Sequence, residues 1–349
     1  MTKNIALAFS GGIDSLTTGK LLIDSGNTVT AVHARLADVE TDEKVEKGAD
    51  LLGVPLVILD FRREFESTVI ESFRREISVG RTPNPCVYCN RKIKFGLLYE
   101  KIRELGFNYM ATGHYARITY DGYIQRGVDR KKDQSYFLWR IKPEVRKSII
   151  FPMGEHTRNY ALETASLLGF EHNRTGSQDI CFSPGSFDEL LKRESLLTER
   201  GIIRDMQNNF LGYHRGLEFY TAGQRKGIGI ASERALYVIR KDTETNTLYV
   251  GDETEGEIRS MDLTHCVWSR NEVLKGDFYI QTRYKAPPVK GTVLPLYETT
   301  ATVIFHEKLR GVPPGQAAVF YKDDLVVGGG WIQTVHLSSE IRNTPEILS

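Results

Sequence analysis

The segment Ser10-Gly11-Gly12-Ile13-Asp14-Ser15, called the glycine loop below, constrains this chain more than any other part of its sequence. It follows the apolar run of residues 5–9, which is typical of a buried strand, and precedes a helix-compatible stretch at residues 16–25. Two consecutive glycines let the backbone turn sharply and let its N–H groups approach a ligand, because no Cβ stands in the way. The sequence therefore predicts an anion-binding turn at the end of the first strand.

The chemistry of this turn favours pyrophosphate. The helix N-terminus adds a partial positive charge, and Ser10 and Ser15 add hydroxyl donors. Asp14 falls in the first helical turn, where a carboxylate is favourable in any protein. A Walker A motif is excluded, since it ends in Gly-Lys-Ser/Thr, and Lys20 lies at the wrong spacing and is typical of a solvated helix lysine.

Strands and helices alternate through the first part of the chain. The sequence predicts strands at residues 5–9, 28–33, 55–60 and 107–112. It predicts helices at residues 42–52, 61–77 and 92–105. This βαβ order predicts an α/β fold with a doubly wound parallel sheet, which binds ligands at the C-terminal ends of its strands. The glycine loop and the pair Gly113-His114 both fall at such ends.

The pattern changes after Tyr115. Asp121-Gly122 between two short apolar runs predicts a hairpin over residues 117–126. From residue 201 onward, short strands separated by Pro and Gly predict a small β-rich central module followed by a C-terminal β-barrel. We therefore predict domains at residues 1–195, 196–257 and 258–349, with a loose tail from residue 338.

Composition narrows the class of protein. The 349 residues are 40% hydrophobic and 26% charged, which is typical of a soluble globular protein. No apolar stretch reaches membrane-spanning length and no signal peptide is predicted, so we expect a cytoplasmic protein without membrane contact. Residues 81–147 contain 15 Lys and Arg against 6 Asp and Glu. Such a block suits a polyanionic partner, although a solvated basic face explains the charge equally well.

The four cysteines carry chemistry of their own, because in a reducing compartment they are more often catalytic or metal-binding than bridged. Cys86 and Cys89 come directly after residues 80–85, a segment that contains two prolines. Cys89 is predicted to lie just ahead of a helix that begins near Arg91. A thiol in that position, next to cationic side chains, is expected to have a lowered pKa. Cys181 lies in a predicted loop, and Cys266, on a predicted strand, is expected to be a core thiol.

Several motifs occur in one order along the chain. They are the glycine loop, residues 80–90, Ala111-Thr112-Gly113-His114-Tyr115, Lys132-Asp133-Gln134-Ser135-Tyr136-Phe137, Ile180-Cys181-Phe182, Gly223-Gln224-Arg225-Lys226-Gly227, Thr282-Arg283-Tyr284 and Pro314-Gly315-Gln316. In this order the chain resembles the tRNA-specific 2-thiouridylases, members of the PP-loop ATP pyrophosphatase superfamily. The resemblance covers nearly the whole length.

The resemblance implies an activity. These enzymes adenylate the C2 oxygen of the wobble uridine with ATP and Mg²⁺ and then replace that oxygen with sulfur. It implies that Cys181 receives a persulfide from a sulfur-relay protein or a cysteine desulfurase, and that Cys89 is the attacking thiol. A Cys89–Cys181 disulfide or free sulfide would then result. The implied nucleotide-binding residues are Ala8, Phe9, Ser10, Gly11, Gly12, Ile13, Asp14, Ser15, Ala34 and Gly113, with Asp14 orienting the Mg²⁺-pyrophosphate.

The resemblance also implies the contacts with tRNA, since chemistry at C2 needs an unstacked base. Residues assigned to the flipped base are Asn84, Pro85 and Cys86. Residues assigned to the rest of the tRNA are His114, Lys132, Asp133, Gln134, Arg283, Tyr284 and Gln316. From the residues alone, His114 is equally well an ordinary loop histidine, and Lys132 an ordinary surface lysine.

This chain departs from the family pattern at Cys86, where many relatives carry Asp, and in the short segment Ala34-Arg35-Leu36. Cys86, Cys89 and Cys181 together form a set that could hold a [4Fe–4S] cluster with one iron open, which is an alternative to the persulfide route. A zinc site lacks an evident fourth ligand. Two rival interpretations stay open: another PP-loop ligase, and a non-catalytic, metal-holding RNA-binding module.

Overall fold

A computed structural model of the chain describes residues 2–37, 42–170, 182, 187–270 and 272–341. The chain divides into two compact units. The first comprises residues 1–70, 85–184 and 324–327, and the second comprises residues 71–84, 185–323 and 328–349. The central module and the barrel of the sequence prediction therefore fall within one unit, and the three domain boundaries stay predictions.

The first unit is organised around a parallel sheet. Its strands are β1 (Asn4–Ala8), β2 (Thr28–Arg35), β3 (Leu56–Asp60), β4 (Tyr109–Thr112), β5 (Ala116–Ile118), β6 (Ile124–Arg126) and β7 (Ile149–Ile150). Five of them lie side by side in the order β3-β2-β1-β4-β7, all parallel, and β5 and β6 form the predicted hairpin. The chain first builds the sheet outward from β1 to β3 and then adds β4 on the other side of β1. This confirms the doubly wound sheet, with its switch point between β1 and β4.

Helices connect these strands and continue into the second unit. They are α1 (Ile13–Asp24), α2 (Asp42–Leu52), α3 (Arg62–Phe65), α4 (Glu71–Ser78), α5 (Pro85–Tyr88), α6 (Tyr99–Glu104), α7 (Pro143–Arg146), α8 (Arg158–Leu167), α9 (Phe187–Arg193) and α10 (Ser338–Ile341). Two π-helical segments, Glu66–Ile70 and Cys89–Leu98, join α3 to α4 and α5 to α6. Short 3₁₀ turns occupy Ser135–Phe137, Pro152–Glu155 and Leu217–Phe219.

Two sequence predictions about these helices are wrong. The helix expected to begin near Arg91 begins at Pro85, because the fixed φ of proline suits the first helical position and its missing N–H costs nothing there. Cys89 therefore lies inside a continuous helical run rather than ahead of it. The tail expected to be loose from residue 338 forms the short helix α10, and residues 342–349 lie outside the described part of the chain.

The core of the first unit lies between the sheet and its helices. Ile5 and Leu7 of β1 are fully buried together with Ala6, so this strand is covered on both faces. Leu16 of α1 packs in the same cluster, and this packing fixes the start of α1 against the end of β1.

The second unit consists of two antiparallel-rich sheets. Its strands are β8 (Gly201–Arg204), β9 (Phe210–His214), β10 (Tyr237–Asp242), β11 (Thr247–Gly251), β12 (Glu257–Trp268), β13 (Gly276–Gln281), β14 (Val289–Tyr297), β15 (Thr300–Arg310), β16 (Ala317–Lys322) and β17 (Leu325–Leu337), the first three residues of which are counted in the first unit. The first four form a small sheet in the order β10-β11-β8-β9. The order β12-β15-β14-β13-β16-β17 closes into a six-stranded barrel because β17 also pairs with β12. These sheets confirm the predicted β-rich module and β-barrel.

Among the described helices, none combines the length and apolar character needed to cross a membrane.

A half-buried lysine on β10, Lys241, gives a test of the second unit. Burial lowers the pKa of Lys241 to about 8, from the ordinary value of 10.5. Between these two pH values the unfolded chain binds the additional proton, so the free energy of unfolding should rise with pH across this window. We expect urea titrations from pH 7 to 10 to show wild-type protein gaining stability relative to Lys241→Met. The stability difference between wild type and Lys20→Met, a change at an exposed helix position, should stay constant over the same pH range. A difference between wild type and Lys241→Met that is constant with pH would contradict the burial of this amine.

Candidate active site

The glycine loop joins β1 to α1 and is held by its own serines. The Ser10 backbone N–H donates to Ser15 Oγ over 3.3 Å, and Ser15 Oγ donates to the Gly12 carbonyl over 2.8 Å. Gly11 has a φ of 67°, in the left-handed region that favours glycine. The loop thus presents backbone amides and hydroxyls at the N-terminus of α1, as an anion site requires.

Gly113, at the end of β4, lies against the backbone of the glycine loop. A Cβ at this position would be 2.9 Å from the carbonyl carbon of Asp14 and 3.0 Å from the Ser15 nitrogen. Any other residue would push the end of β4 away from the start of α1. The two parts of the predicted nucleotide site therefore meet by direct backbone contact.

Two side chains that the sequence analysis did not assign to the site hold Asp14. Tyr115 Oη donates to Asp14 Oδ1 over 2.6 Å, and the Arg158 guanidinium forms an ion pair with the same oxygen. Burial, followed by the negative charge of Asp14, raises the pKa of the Tyr115 phenol, which therefore remains a donor. Tyr115 is part of a motif named in the sequence analysis and Arg158 begins α8, but no local pattern linked either residue to Asp14.

A cleft of about 260 Å³ opens at this edge of the sheet, and we call it the nucleotide cleft. Of the predicted nucleotide-binding residues, it is lined by Ala8, Phe9, Ser10, Asp14, Ser15, Ala34 and Gly113. Gly11, Gly12 and Ile13 belong to the loop and the first turn of α1. His33 Nδ1 contacts the Phe9 carbonyl over 2.9 Å and so links the ends of β2 and β1.

A second cavity of about 100 Å³, the thiol cavity, contains both cysteines of the helical run. Cys86 is half-buried and Cys89 is buried, and both are thiols. Pro85, Asn90 and Phe65 are among the other lining residues. Cys181 lies outside the described residues, while Phe182, the next residue in the sequence, lines both cavities.

The two cavities share four lining residues, Lys94, His114, Gln134 and Phe182. The His114 pKa lies well below its usual range because of burial and, secondarily, the charge of Lys94, so the ring is neutral at pH 7. Thr112 Oγ1 lies 2.7 Å from His114 Nδ1 and orients it. Gln134 is oriented as well, since its Oε1 accepts from the Tyr115 N–H over 3.0 Å.

The loop that follows β6 carries the predicted tRNA residues Lys132, Asp133 and Gln134, which differ in burial. Asp133 is buried, and its carboxylate accepts from Arg126 Nη1 at 2.9 Å, from the Gly127 N–H at 3.0 Å and from Ser135 Oγ at 2.8 Å. Lys132, the preceding residue, is only half-buried. These contacts favour a structural role for Asp133, which fixes the loop that carries Lys132 and Gln134.

The remaining predicted tRNA residues, Asn84, Arg283, Tyr284 and Gln316, belong to the second unit. Gln316 Nε2 donates to the Thr82 carbonyl over 3.2 Å and to the Pro83 carbonyl over 2.8 Å, and Asn84 Nδ2 donates to Gln316 Oε1 over 3.4 Å. Gln316 thereby fixes residues 82–84, from which the chain continues into Pro85 and Cys86.

Arg283 and Tyr284 follow strand β13. The Arg283 guanidinium donates to the Ala222 carbonyl. Gln281 Nε2 donates to the carbonyls of Arg283 and Tyr284 over 3.0 and 2.6 Å. Three hydrogen bonds thus hold the loop that carries the arginine and the tyrosine.

Within the described ranges, no three His, Cys, Asp or Glu side chains are grouped as a metal site would need. Cys181, the third thiol of the predicted cluster set, is not in those ranges.

Comparisons with known proteins agree with this architecture. Three family models match the chain: tRNA methyl transferase HUP domain over residues 3–185, tRNA methyl transferase PRC-barrel domain over residues 189–252, and aminomethyltransferase beta-barrel domain over residues 258–332. The chain is 37% identical to the tRNA-specific 2-thiouridylase MnmA of Carboxydothermus hydrogenoformans, over 95% of this chain and 98% of that protein. It is 38% identical to the protein of the same name from Moorella thermoacetica, over 94% of this chain and 99% of that protein.

The environments of the described cysteines predict a difference in reactivity. Burial raises the pKa of the Cys266 thiol to about 12, so about 10⁻⁴ of it is thiolate at pH 8. We expect iodoacetamide at pH 8 to alkylate half-buried Cys86 while Cys266 stays unmodified, as followed by peptide mass spectrometry. Urea-unfolded protein should lose this difference. Equal rates at the two cysteines in folded protein would contradict the burial of Cys266.

Proposed function

Since the chain belongs to the family of the tRNA-specific 2-thiouridylases, we propose that it replaces the C2 oxygen of the wobble uridine in tRNA with sulfur at the expense of ATP. One observation carries the proposal: the nucleotide cleft and the thiol cavity share four lining residues. A base activated in one cavity is therefore within reach of thiols in the other, as a reaction with both adenylation and sulfur transfer requires.

Adenylation takes place in the nucleotide cleft. The amides of the glycine loop and the Ser10 hydroxyl bind the β- and γ-phosphates, while Ser15 holds the loop through its bond to the Gly12 carbonyl. Ala34 and Gly113 border the nucleoside. The uracil O2 forms a bond to the α-phosphorus, and the bond from this phosphorus to the bridging oxygen breaks. The electron pair leaves with pyrophosphate and the N3 proton leaves to solvent.

Magnesium fits the oxygen groups at this end of the cleft. Asp14 and the two serine hydroxyls are hard ligands suited to the ion, which neutralises phosphate charge when bound with ATP. Arg158 and Tyr115 hold Asp14 Oδ1 and so fix the direction of the carboxylate.

Sulfur transfer takes place in the thiol cavity. A cysteine desulfurase or a sulfur-relay protein supplies the terminal sulfur of a persulfide on Cys181. That sulfur attacks C2 and AMP leaves with the electron pair of the C2–O bond. The Cys89 thiolate then attacks the Cys181 sulfur, which releases the thiocarbonyl and forms a Cys89–Cys181 disulfide. A dithiol reductant reopens the disulfide.

The cluster route remains the alternative for the second step. Cys86 and Cys89 line one cavity and so fit two ligands of a [4Fe–4S] cluster, with Cys181 as the third. A cluster would supply an open iron that binds hydrosulfide. Cys86, in place of the aspartate of many relatives, is the residue that distinguishes the two routes.

We propose roles for the predicted tRNA residues from the cavities and loops to which their side chains belong. Pro85 and Cys86 line the thiol cavity and border the flipped base, together with His114 and Gln134. Lys132 of the first unit and Arg283 and Tyr284 of the second contact the rest of the tRNA. Asp133, Asn84 and Gln316 act as positioning residues, since their polar groups hold neighbouring loops.

Mass spectrometry of tRNA tests the proposal and separates its two routes. After incubation with ATP, Mg²⁺ and a sulfur source, wild-type protein should add the mass of a sulfur-for-oxygen exchange. Loss of this shift in Cys89→Ala and Cys181→Ala but not in Cys86→Ala supports the persulfide route, and loss in all three supports the cluster. Cys266→Ala is the matched control and should retain the shift.

Two outcomes would contradict the proposed function. Activity retained in Cys89→Ala, with a small amide or nucleotide as acceptor, would indicate another PP-loop ligase. Binding of tRNA without release of pyrophosphate under any condition would indicate a non-catalytic RNA-binding module.

A further inference from the structure

We propose that Lys94 is a further catalytic residue, whose ammonium group binds the α-phosphate where the nucleotide cleft meets the thiol cavity. The inference rests on the proposed function and specifies its chemistry. It assigns to one side chain the stabilisation of the phosphoryl group in both the adenylation step and the departure of AMP.

The position of Lys94 singles it out. It is half-buried on the π-helical segment Cys89–Leu98, and it lines both cavities. Of the four side chains common to the two cavities, Lys94 carries the formal charge, because His114 is neutral at pH 7 and Gln134 and Phe182 are uncharged. Among the described residues that line both cavities, Lys94 is therefore the one cationic group.

The geometry of the nucleotide identifies the phosphate at that junction. In the proposed binding mode, the glycine loop binds the β- and γ-phosphates and the nucleoside lies toward Ala34, since Ser10, Ser15 and Ala34 all line this cleft. The α-phosphate lies between them, and it must face the base that reaches in from the thiol cavity. A cation that borders both cavities is then the neighbour of the α-phosphorus.

The electrostatics agree with this assignment. Among the described residues, no carboxylate forms an ion pair with Lys94, while its charge acts on His114. Negative charge develops on the α-phosphoryl oxygens as O2 attacks, and again on AMP as the C2–O bond breaks. An ammonium group there stabilises both transition states more than the ground state, which is the requirement for catalysis.

Nucleotide binding tests the phosphate contact without any turnover. We measure the dissociation constants of AMP and adenosine by calorimetry for full-length wild type, Lys94→Met, Lys94→Arg and Lys20→Met. Lys94→Met should reduce the preference for AMP over adenosine about tenfold, and Lys94→Arg should retain most of it. Lys20→Met is the control, because that lysine is exposed and paired with Asp24. An unchanged preference in Lys94→Met overturns the proposal.

Kinetics test the catalytic role. In Lys94→Met, kcat for tRNA-dependent pyrophosphate release should fall about 10²-fold, with the KM for ATP changed less than about threefold. A kcat within threefold of wild type overturns the proposal. A lower alkylation rate at Cys89 with an intact AMP preference also overturns it, since Lys94 would then act on the thiol. Absence of thiolated tRNA with wild type defeats the proposed function, whereas a lost AMP preference in Lys94→Met still supports the phosphate contact.

Discussion

The direct contact of Gly113 with the backbone of Asp14 and Ser15 is the constraint on which the site depends. It joins the ends of two adjacent parallel strands, β1 and β4, without an intervening side chain. Because the contact fixes the start of α1, Tyr115, two residues after Gly113, reaches Asp14. The same contact places His114 where it borders both cavities. One backbone approach thereby sets the positions of the glycine loop, its carboxylate and the junction of the two cavities.

The ion pair of Asp14 and Arg158 orients the Asp14 carboxylate and adds little to the free energy of folding. Both side chains are about one-third exposed, at 37% and 32%, and pairs of this kind contribute little to the free energy of folding. Their value is that a carboxylate held by a guanidinium and a phenol has one orientation. Gln316 also acts on conformation, because its amide holds the backbone of residues 82–84 just before Cys86 and Cys89. Polar side chains at both places act on the conformation of a loop.

Local sequence was sufficient for the parts of the site that depend on strand ends. The apolar run before the glycine loop and the pair Gly113-His114 predicted the sheet and the cleft, because ligand sites in such sheets follow the strand order. The contacts of Asp14 were beyond prediction, since Tyr115 and Arg158 are 101 and 144 residues away along the chain. The burial of Asp133 was missed for a similar reason: its partners depend on how the hairpin folds back. The sequence showed that these residues are polar, but not what they contact.

Lys94 shows why helical periodicity alone misplaces a residue. Lys94 is five positions after Cys89, and in a regular α-helix this spacing turns a side chain about 140° away. In a π-helical segment the hydrogen bonds run from residue i to i+5, so side chains with this spacing lie on one face. Cys89–Leu98 is such a segment, and Cys89 and Lys94 line the same cavity. The wider turn therefore brings the thiol and the ammonium group to one side of the helix. An α-helical assignment from sequence would have placed the lysine outside the site.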